Sequence, residues 1–257
     1  MNRVRAKKHL GQHFLLDKGI AGKTADSLMS KDCTSVLEIG PGMGVLTAFL
    51  VDMDLPDLRV IEIDGELITY LEENFKGLNI INGDFLKYDI ESNFSGSLAI
   101  IGNFPFNISS QIFFRVLENR NKVVELTGMI QKEVAERICS GPGSKAYGIL
   151  SVLLQTYYDI EYLFTVPPTV FKPQPKVTSA VIRLIRNDRI APGCDEKLLF
   201  RVVKSTFNHR RKMIRNSIRT VIDPGESNFG LLTKRPEQLG LDDYIELTNW
   251  AQENMNN

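Results

Sequence analysis

Five consecutive residues, Asn103-Phe104-Pro105-Phe106-Asn107, combine an amide side chain, a carbonyl held by a proline ring and two aromatic faces. That set suits a planar base with an exocyclic amino group. A carboxamide oxygen and a rigid carbonyl accept from N–H donors, and a flat apolar ring can cover the base. The same residues also describe a tight turn with two core phenylalanines. Their flanks say where the loop sits. Leu98-Ala99-Ile100-Ile101 is an apolar run of strand length, and Ile108 to Glu118 has helical periodicity. The loop therefore falls just beyond the carboxyl end of a strand, where a parallel α/β sheet carries its chemistry.

Three further strand ends carry groups of the right kind. Ser35 to Ile39 reads as a strand running into Gly40-Pro41-Gly42-Met43-Gly44, with Val45 to Met53 helical behind it. Glycines there let backbone N–H groups approach a ligand closely. The spacing is G-x-G-x-G, which misses the dinucleotide pattern G-x-G-x-x-G and disfavours a nicotinamide enzyme. The next strand, Arg59-Val60-Ile61, ends on Glu62. That is roughly 20 residues past the first glycine, where a carboxylate meets ribose hydroxyls. Asn79-Ile80-Ile81 leads to Asp84 and Phe85, an acceptor for the amino group of a bound adenine beside an apolar face. Glu38, ahead of the glycines, completes E-x-G-x-G-x-G.

The elements that must position these groups follow from pattern. Asp17 is the expected N-cap of a helix running to about Ser30. Val123 to Met129 reads as a fifth strand, Gln131 to Cys139 and Tyr147 to Gln155 as helices, and Tyr158 to Val166 and Val177 to Ile185 as strands. Between the last two, Pro167 to Lys176 contains four prolines, stiff enough to fix Phe171 and Lys172. Beyond residue 190 the pattern is helical over Asp195 to Phe207, Asn208 to Val221 and Tyr244 to Glu253. The expected domains are 1–188, an α/β sheet with a basic N-terminal arm, and 189–257, a small helical domain.

With 31 basic and 31 acidic residues the net charge is zero, yet the basic residues are clustered. Residues 3–8 hold Arg3, Arg5, Lys7 and Lys8 with no acid. Residues 197–222 hold Lys204, Arg210, Arg211, Lys212 and Arg215 among eight basic residues, again with no acid. A solvated helix face usually mixes both signs; two one-signed patches on an acidic remainder point to a polyanionic partner. No apolar run reaches bilayer-spanning length, and the basic start lacks an apolar signal core. Cys33, Cys139 and Cys194 are odd in number and widely spaced, as expected of buried thiols in a reducing cytosol. His9 and His13 lie four apart, but Gly11 between them and no nearby third ligand argue against zinc.

Gly11-Gln12-His13-Phe14-Leu15, Glu38 to Gly44, Asn103 to Asn107, Gln131-Lys132-Glu133-Val134, Ser144-Lys145-Ala146-Tyr147-Gly148, Val166-Pro167-Pro168 to Phe171, Pro175-Lys176-Val177 and Phe207-Asn208-His209-Arg210-Arg211-Lys212 occur in this order. Together they closely resemble the KsgA (RsmA) family of ribosomal RNA adenine dimethyltransferases, from about residue 5 to residue 220. The resemblance implies a Rossmann-like S-adenosylmethionine-dependent methyltransferase sheet and a helical C-terminal domain that binds RNA. S-adenosylmethionine would be held by His13, Leu15, Gly40, Gly42, Glu62, Asp84 and Asn103. The target adenine would be held by Asn103, Pro105 and Phe106, with Phe171 stacking from the other side. RNA contacts would come from Arg3, Arg5, Lys7, Lys8, Lys204, Arg210, Arg211, Lys212 and Arg215.

The implied activity is dimethylation of the N6 amines of two adjacent adenosines near the 3′ end of 16S rRNA. It would act in the 30S subunit or its precursor, coupled to subunit assembly. The implied enzyme is a cytoplasmic monomer that uses no metal. The family usually has asparagine at His13 and Asn-Leu-Pro-Tyr at Asn103 to Phe106; loss of the tyrosine hydroxyl argues that the ring stacks. Two alternatives share the fold. One is an Erm-like large-subunit methyltransferase, a type that usually differs in the glycine loop and lacks Lys145-Ala146-Tyr147-Gly148. The other is a non-catalytic ribosome assembly factor.

Overall fold

The structure, a computed structural model, describes residues 5–29, 33–188 and 192–255. The chain folds into two compact units, one drawn from Met1–Ala135 and Ile160–Arg186, the other from Glu136–Asp159 and Asn187–Asn257.

The first unit is built on a sheet. Its elements in chain order are β1 (Phe14–Leu15), α1 (Lys18–Asp26), β2 (Ser35–Ile39), α2 (Thr47–Val51), β3 (Leu58–Glu62), α3 (Gly65–Asn74), β4 (Asn79–Asn82), α4 (Ile90–Asn93), β5 (Leu98–Asn103), α5 (Ser109–Glu118) and β6 (Val123–Gln131). After α6 (Lys132–Cys139) and α7 (Ile149–Tyr157) come β7 (Tyr158–Val166), β8 (Phe171–Lys172) and β9 (Ser179–Arg186). The seven-stranded sheet has the order β4-β3-β2-β5-β6-β9-β7. Strands β4 to β6 run parallel, and β9 pairs antiparallel with β6. Every residue of β2 is buried, as expected of a central strand covered by helices on both faces. From β2 the chain winds outward through β3 and β4, then returns to the other side at β5. That reversal puts a crevice beyond the carboxyl ends of β2 and β5.

The second unit holds α7, α8 (Glu196–Asn208), α9 (Ile214–Ser217) and α10 (Leu241–Met255). Its core includes Tyr147, whose ring meets Phe207 edge-on, while Phe207 stacks on Tyr244. The division departs from the 1–188 and 189–257 expectation because Glu136–Asp159 groups with the C-terminal segment. Helix α7 is apolar nearly all round, with Leu150, Val152, Leu153 and Leu154 buried, and it packs against α8 and α10.

Asp17 caps α1, accepting from the Ile20 N–H at 3.0 Å. The helix ends at Asp26, short of Ser30, which lies outside the described residues. The helix expected over Asn208 to Val221 reduces to α9. The chain leaves α8 at His209, where Arg210 turns to donate to the carbonyls of Lys145 (2.7 Å) and Ser144 (2.9 Å). Three consecutive cations also lack acidic partners one turn away to hold another helical turn. Among the cysteines Cys33 is buried, whereas Cys139 and Cys194 are only half-buried. Among the described residues no helix is long and apolar enough to cross a membrane.

Candidate active site

The crevice at the strand reversal is a cleft with about 1190 Å³ of empty space, counted to its open mouth. Its wall includes His13, Leu15, Gly40, Gly42, Glu62, Asp84, Asn103, Pro105 and Phe106, so the structure brings together nine residues that the sequence had dispersed. It also includes Gln12, Phe14, Glu38, Ile63 and Phe85.

Gly40 and Gly42 are left-handed, with φ of 65° and 57°, a conformation that strains any residue with a Cβ. A Cβ on Gly40 would meet nothing nearer than Pro105 Cδ at 4.0 Å. It would project into the cleft, so the bare backbone there forms a cradle for a ligand. Beside it, Glu62 is buried and its carboxylate is aimed by the backbone. Oε1 accepts from the N–H groups of Ile63 (2.9 Å) and Asp64 (3.0 Å), while Oε2 has only a long contact with the Gly42 N–H at 3.4 Å. Oε2 therefore keeps capacity for a ligand hydroxyl. Burial pushes the Glu62 carboxyl up, against the lowering effect of these N–H donors. Asp84 is fixed in the same manner. Its Oδ1 accepts from the Leu86 N–H at 3.0 Å, and Oδ2 is 4.0 Å from the exposed Lys87 ammonium.

Glu38 lies at the base of the cleft, 1% exposed, and accepts from the Thr47 hydroxyl at 2.7 Å. Burial drives its carboxyl up to about 8, with Glu62 adding to the rise and Thr47 opposing it. A carboxyl in that range is neutral at pH 7, so the base of the cleft carries less negative charge than two glutamates suggest.

The two phenylalanines of the opening loop have separate fates. Phe104 is 1% exposed. Its ring lies over Gly102 and Gly128, where a Cβ would fall 3.0 and 2.3 Å from it, and meets Phe113 edge-on. It anchors the loop. Phe106 is half-buried, on the cleft wall, with its ring 5.3 Å from that of His13 and tilted by 31°. Asn103 Nδ2 donates to the backbone carbonyl of His13 at 3.0 Å. A carbonyl can only accept, which settles the amide orientation and leaves Oδ1 as the acceptor. The Pro105 carbonyl accepts from the Ile108 N–H at 3.2 Å and retains a second lone pair. His13 is tied on its other side, Nδ1–H to the Pro173 carbonyl at 2.7 Å.

Phe171 is not brought to the cleft wall. It is 4% exposed and packs with Leu15, Ala21, Met129, Val166 and Val181, held by the β1–β8 pairing of Leu15 with Phe171. It reaches a base only by leaving that pocket. Phe85, expected at an adenine face, is a 4% exposed wall residue. Ile63 is the apolar surface that sequence reading missed, 51% exposed and on the cleft wall. An apolar residue directly after the strand-end acid was the available signal.

The basic residues divide as well. Arg3 lies outside the described residues. Lys7 is committed to Asp64 at 2.6 Å and Glu66 at 3.1 Å. Arg210 is committed to the loop carbonyls given above, and Arg215 to the carbonyls of Gly225 and Ser227. These three cations are already engaged by internal acceptors. Arg5 and Lys8 in the first unit and Lys204, Arg211 and Lys212 in the second are exposed.

The sheet order and the ligand cradle at its reversal define a class, the Rossmann-like S-adenosylmethionine-dependent methyltransferases. Solved structures agree on the fold. A dimethyladenosine transferase from Plasmodium falciparum superposes with a TM-score of 0.77 at 22% identity, over 94% of this chain and 98% of that one. The 23S rRNA methyltransferase ErmE superposes with a TM-score of 0.68 at 26% identity, over 92% and 99%. The sequence family is narrower. Residues 3–252 match the family model for ribosomal RNA adenine dimethylase. Proteins named ribosomal RNA small subunit methyltransferase A are 55% identical in Porphyromonas gingivalis (98% of this chain, 100% of that one) and 54% identical in Flavobacterium johnsoniae (96% of each). The chain belongs to the ribosomal RNA adenine dimethylase family.

Proposed function

We propose that this enzyme dimethylates the N6 amines of two adjacent adenosines near the 3′ end of 16S rRNA, acting in the 30S subunit or its precursor. The observation that carries the reading is Asn103. Its Nδ2 is spent on the His13 carbonyl, so a carboxamide acceptor faces the cleft beside a half-buried aromatic ring. The small-subunit target rests on relatives at 54–55% identity, against 26% for the large-subunit enzyme.

The residues present fit S-adenosylmethionine, which supplies an electrophilic methyl on a sulfonium. Gly40 and Gly42 would admit it against bare backbone, Glu62 Oε2 would take its ribose hydroxyls and Asp84 Oδ2 its adenine amino group. His13 and Leu15 would close over it. The protein's own contribution is orientation and electrostatics. An aromatic amine is a poor nucleophile because its lone pair is conjugated with the ring. Asn103 Oδ1 and the Pro105 carbonyl would accept its two N–H bonds and favour a pyramidal nitrogen. The amine turns acidic on methylation, so these acceptors suffice and no strong base is required. The target base must leave its stack, and Phe106 would replace the lost stacking, a contribution of roughly 1–3 kcal/mol.

Arg5, Lys8, Lys204, Arg211 and Lys212 would meet RNA phosphates. The protein would act as a cytoplasmic monomer, its helical unit binding the subunit during assembly. Labelled methyl donor with separated undermethylated small and large subunits, followed by nucleoside analysis, tests the reading. Label in N6,N6-dimethyladenosine from the small subunit is the expected result; label confined to the large subunit would overturn it.

A further inference from the structure

The stretch from Leu10 to Leu15 lines the cleft, and it is held there by a side chain that follows β3. The Asp64 side chain, two residues past the end of β3 and 0% exposed, holds it at two points. Lys7 Nζ donates to Oδ1 at 2.6 Å and Gln12 Nε2 to Oδ2 at 3.0 Å. Gln12 closes the loop on itself, its Oε1 accepting from the Lys7 backbone N–H at 2.8 Å. The remaining bonds of Asp64 point inward. Its side chain caps α3 through the Glu66 N–H at 3.1 Å, and its own N–H reaches Glu62 Oε1 at 3.0 Å. One residue thus joins the strap, held by its carboxylate, to the acid on the cleft wall, reached by its backbone N–H. Burial raises the Asp64 carboxyl, but hydrogen bonds from Lys7 and Gln12 outweigh it and hold the group below its ordinary range. The site keeps this charge ionised.

We propose that Asp64 is a positioning residue for methyl-donor binding, acting through Lys7 and Gln12 to latch residues 10–15 over the cleft. The inference rests on the cleft being the donor site. It assigns Lys7, a basic residue in a basic arm, to the cofactor side of the enzyme instead of to RNA. Lifting of the strap would widen the open mouth of the cleft for donor entry and product exit. Lifting breaks a charge-assisted pair whose lysine is 31% exposed, so salt weakens the latch.

Asp64→Asn separates the two duties of this residue. Asparagine caps a helix as well as aspartate, so α3 keeps its cap while the strap loses its counter-charge. Titration calorimetry with S-adenosylhomocysteine at about 0.05 and 0.5 M KCl should show wild-type affinity falling with salt. The variant should bind about tenfold more weakly, as when the closed fraction falls to about a tenth, and lose the salt dependence. Turnover at saturating donor should stay within about twofold, so that the change is in KM and not kcat. Lys7→Met leaves every helix cap intact and should reproduce the effect. The double variant should be no weaker than either single one.

Wild-type affinity and wild-type salt dependence in Lys7→Met would overturn the inference, whatever the folding of Asp64→Asn. Glu62→Ala distinguishes the failures. If it too leaves affinity unchanged, the cleft is not the donor site and both readings fall. If it alone weakens binding, only the latch falls.

Discussion

Replacing Asn103 with alanine removes two things at opposite ends of one amide, the hydrogen bond to the His13 carbonyl and the proposed acceptor for the target amine. The Oδ1 acceptor is lost from the amine site. By analogy with deleting one preorganised hydrogen-bonding group from an active site, turnover should fall roughly 10²–10³-fold, about 2.7–4 kcal/mol of transition-state stabilisation. The Nδ2–H donor is also lost, leaving the His13 carbonyl unpaired. His13 is half-buried, so water replaces much of that bond and the cost is near the low end of about 1–3 kcal/mol. It falls on the order of the strap segment, and so on donor affinity. Phe104 holds the loop independently, so the backbone should stay in place. The assay is single-turnover methyl incorporation into undermethylated small subunits at saturating donor, with sedimentation for subunit binding. Subunit binding should be nearly unchanged. Turnover within about threefold of wild type, less than 1 kcal/mol, would remove Asn103 from the mechanism.

Phe106→Tyr should retain activity while Phe106→Ala loses roughly 5- to 150-fold, the rate equivalent of about 1–3 kcal/mol of stacking; equal rates for all three would refute stacking. Reversing Arg211 and Lys212 to Glu should lower the salt slope of small-subunit binding by about one per phosphate contact with thermal stability unchanged. Arg210→Glu should instead lower the melting temperature, since its guanidinium holds two backbone carbonyls; the reverse pattern would exchange their roles. Glu38 has a folded-state value raised to about 8 from 4.5, so the native state holds a proton that the unfolded state releases. Its contribution is fully present below about 4.5 and lost as pH rises through about 8. Glu38→Gln should flatten that decline in thermal-unfolding curves across the window, and an unchanged slope would mean that Glu38 is ionised in the folded protein.

Sequence alone located the sheet and the four strand ends that line the cleft. Burial of strands and the backbone needs of a ligand cradle act over a few residues. All-buried β2, left-handed Gly40 and Gly42 and strand-end Glu62 therefore leave a local trace. The opening loop was ambiguous because Phe104 and Phe106 both lie past the strand end at Asn103, where strand alternation no longer fixes which ring turns inward. Which phenylalanine is core depends on Gly128, a residue from the next strand that leaves room for the Phe104 ring. The same limit explains Phe171, whose burial depends on pairing with Leu15, and α7, whose partners α8 and α10 lie well beyond it in the chain. Charge was the least legible property. Lys7, Arg210 and Arg215 look in sequence like Lys8, Arg211 and Lys212, and only the folded chain decides which cations meet an internal acceptor. A charged side chain takes its role from the groups that reach it, and those are set by tertiary structure.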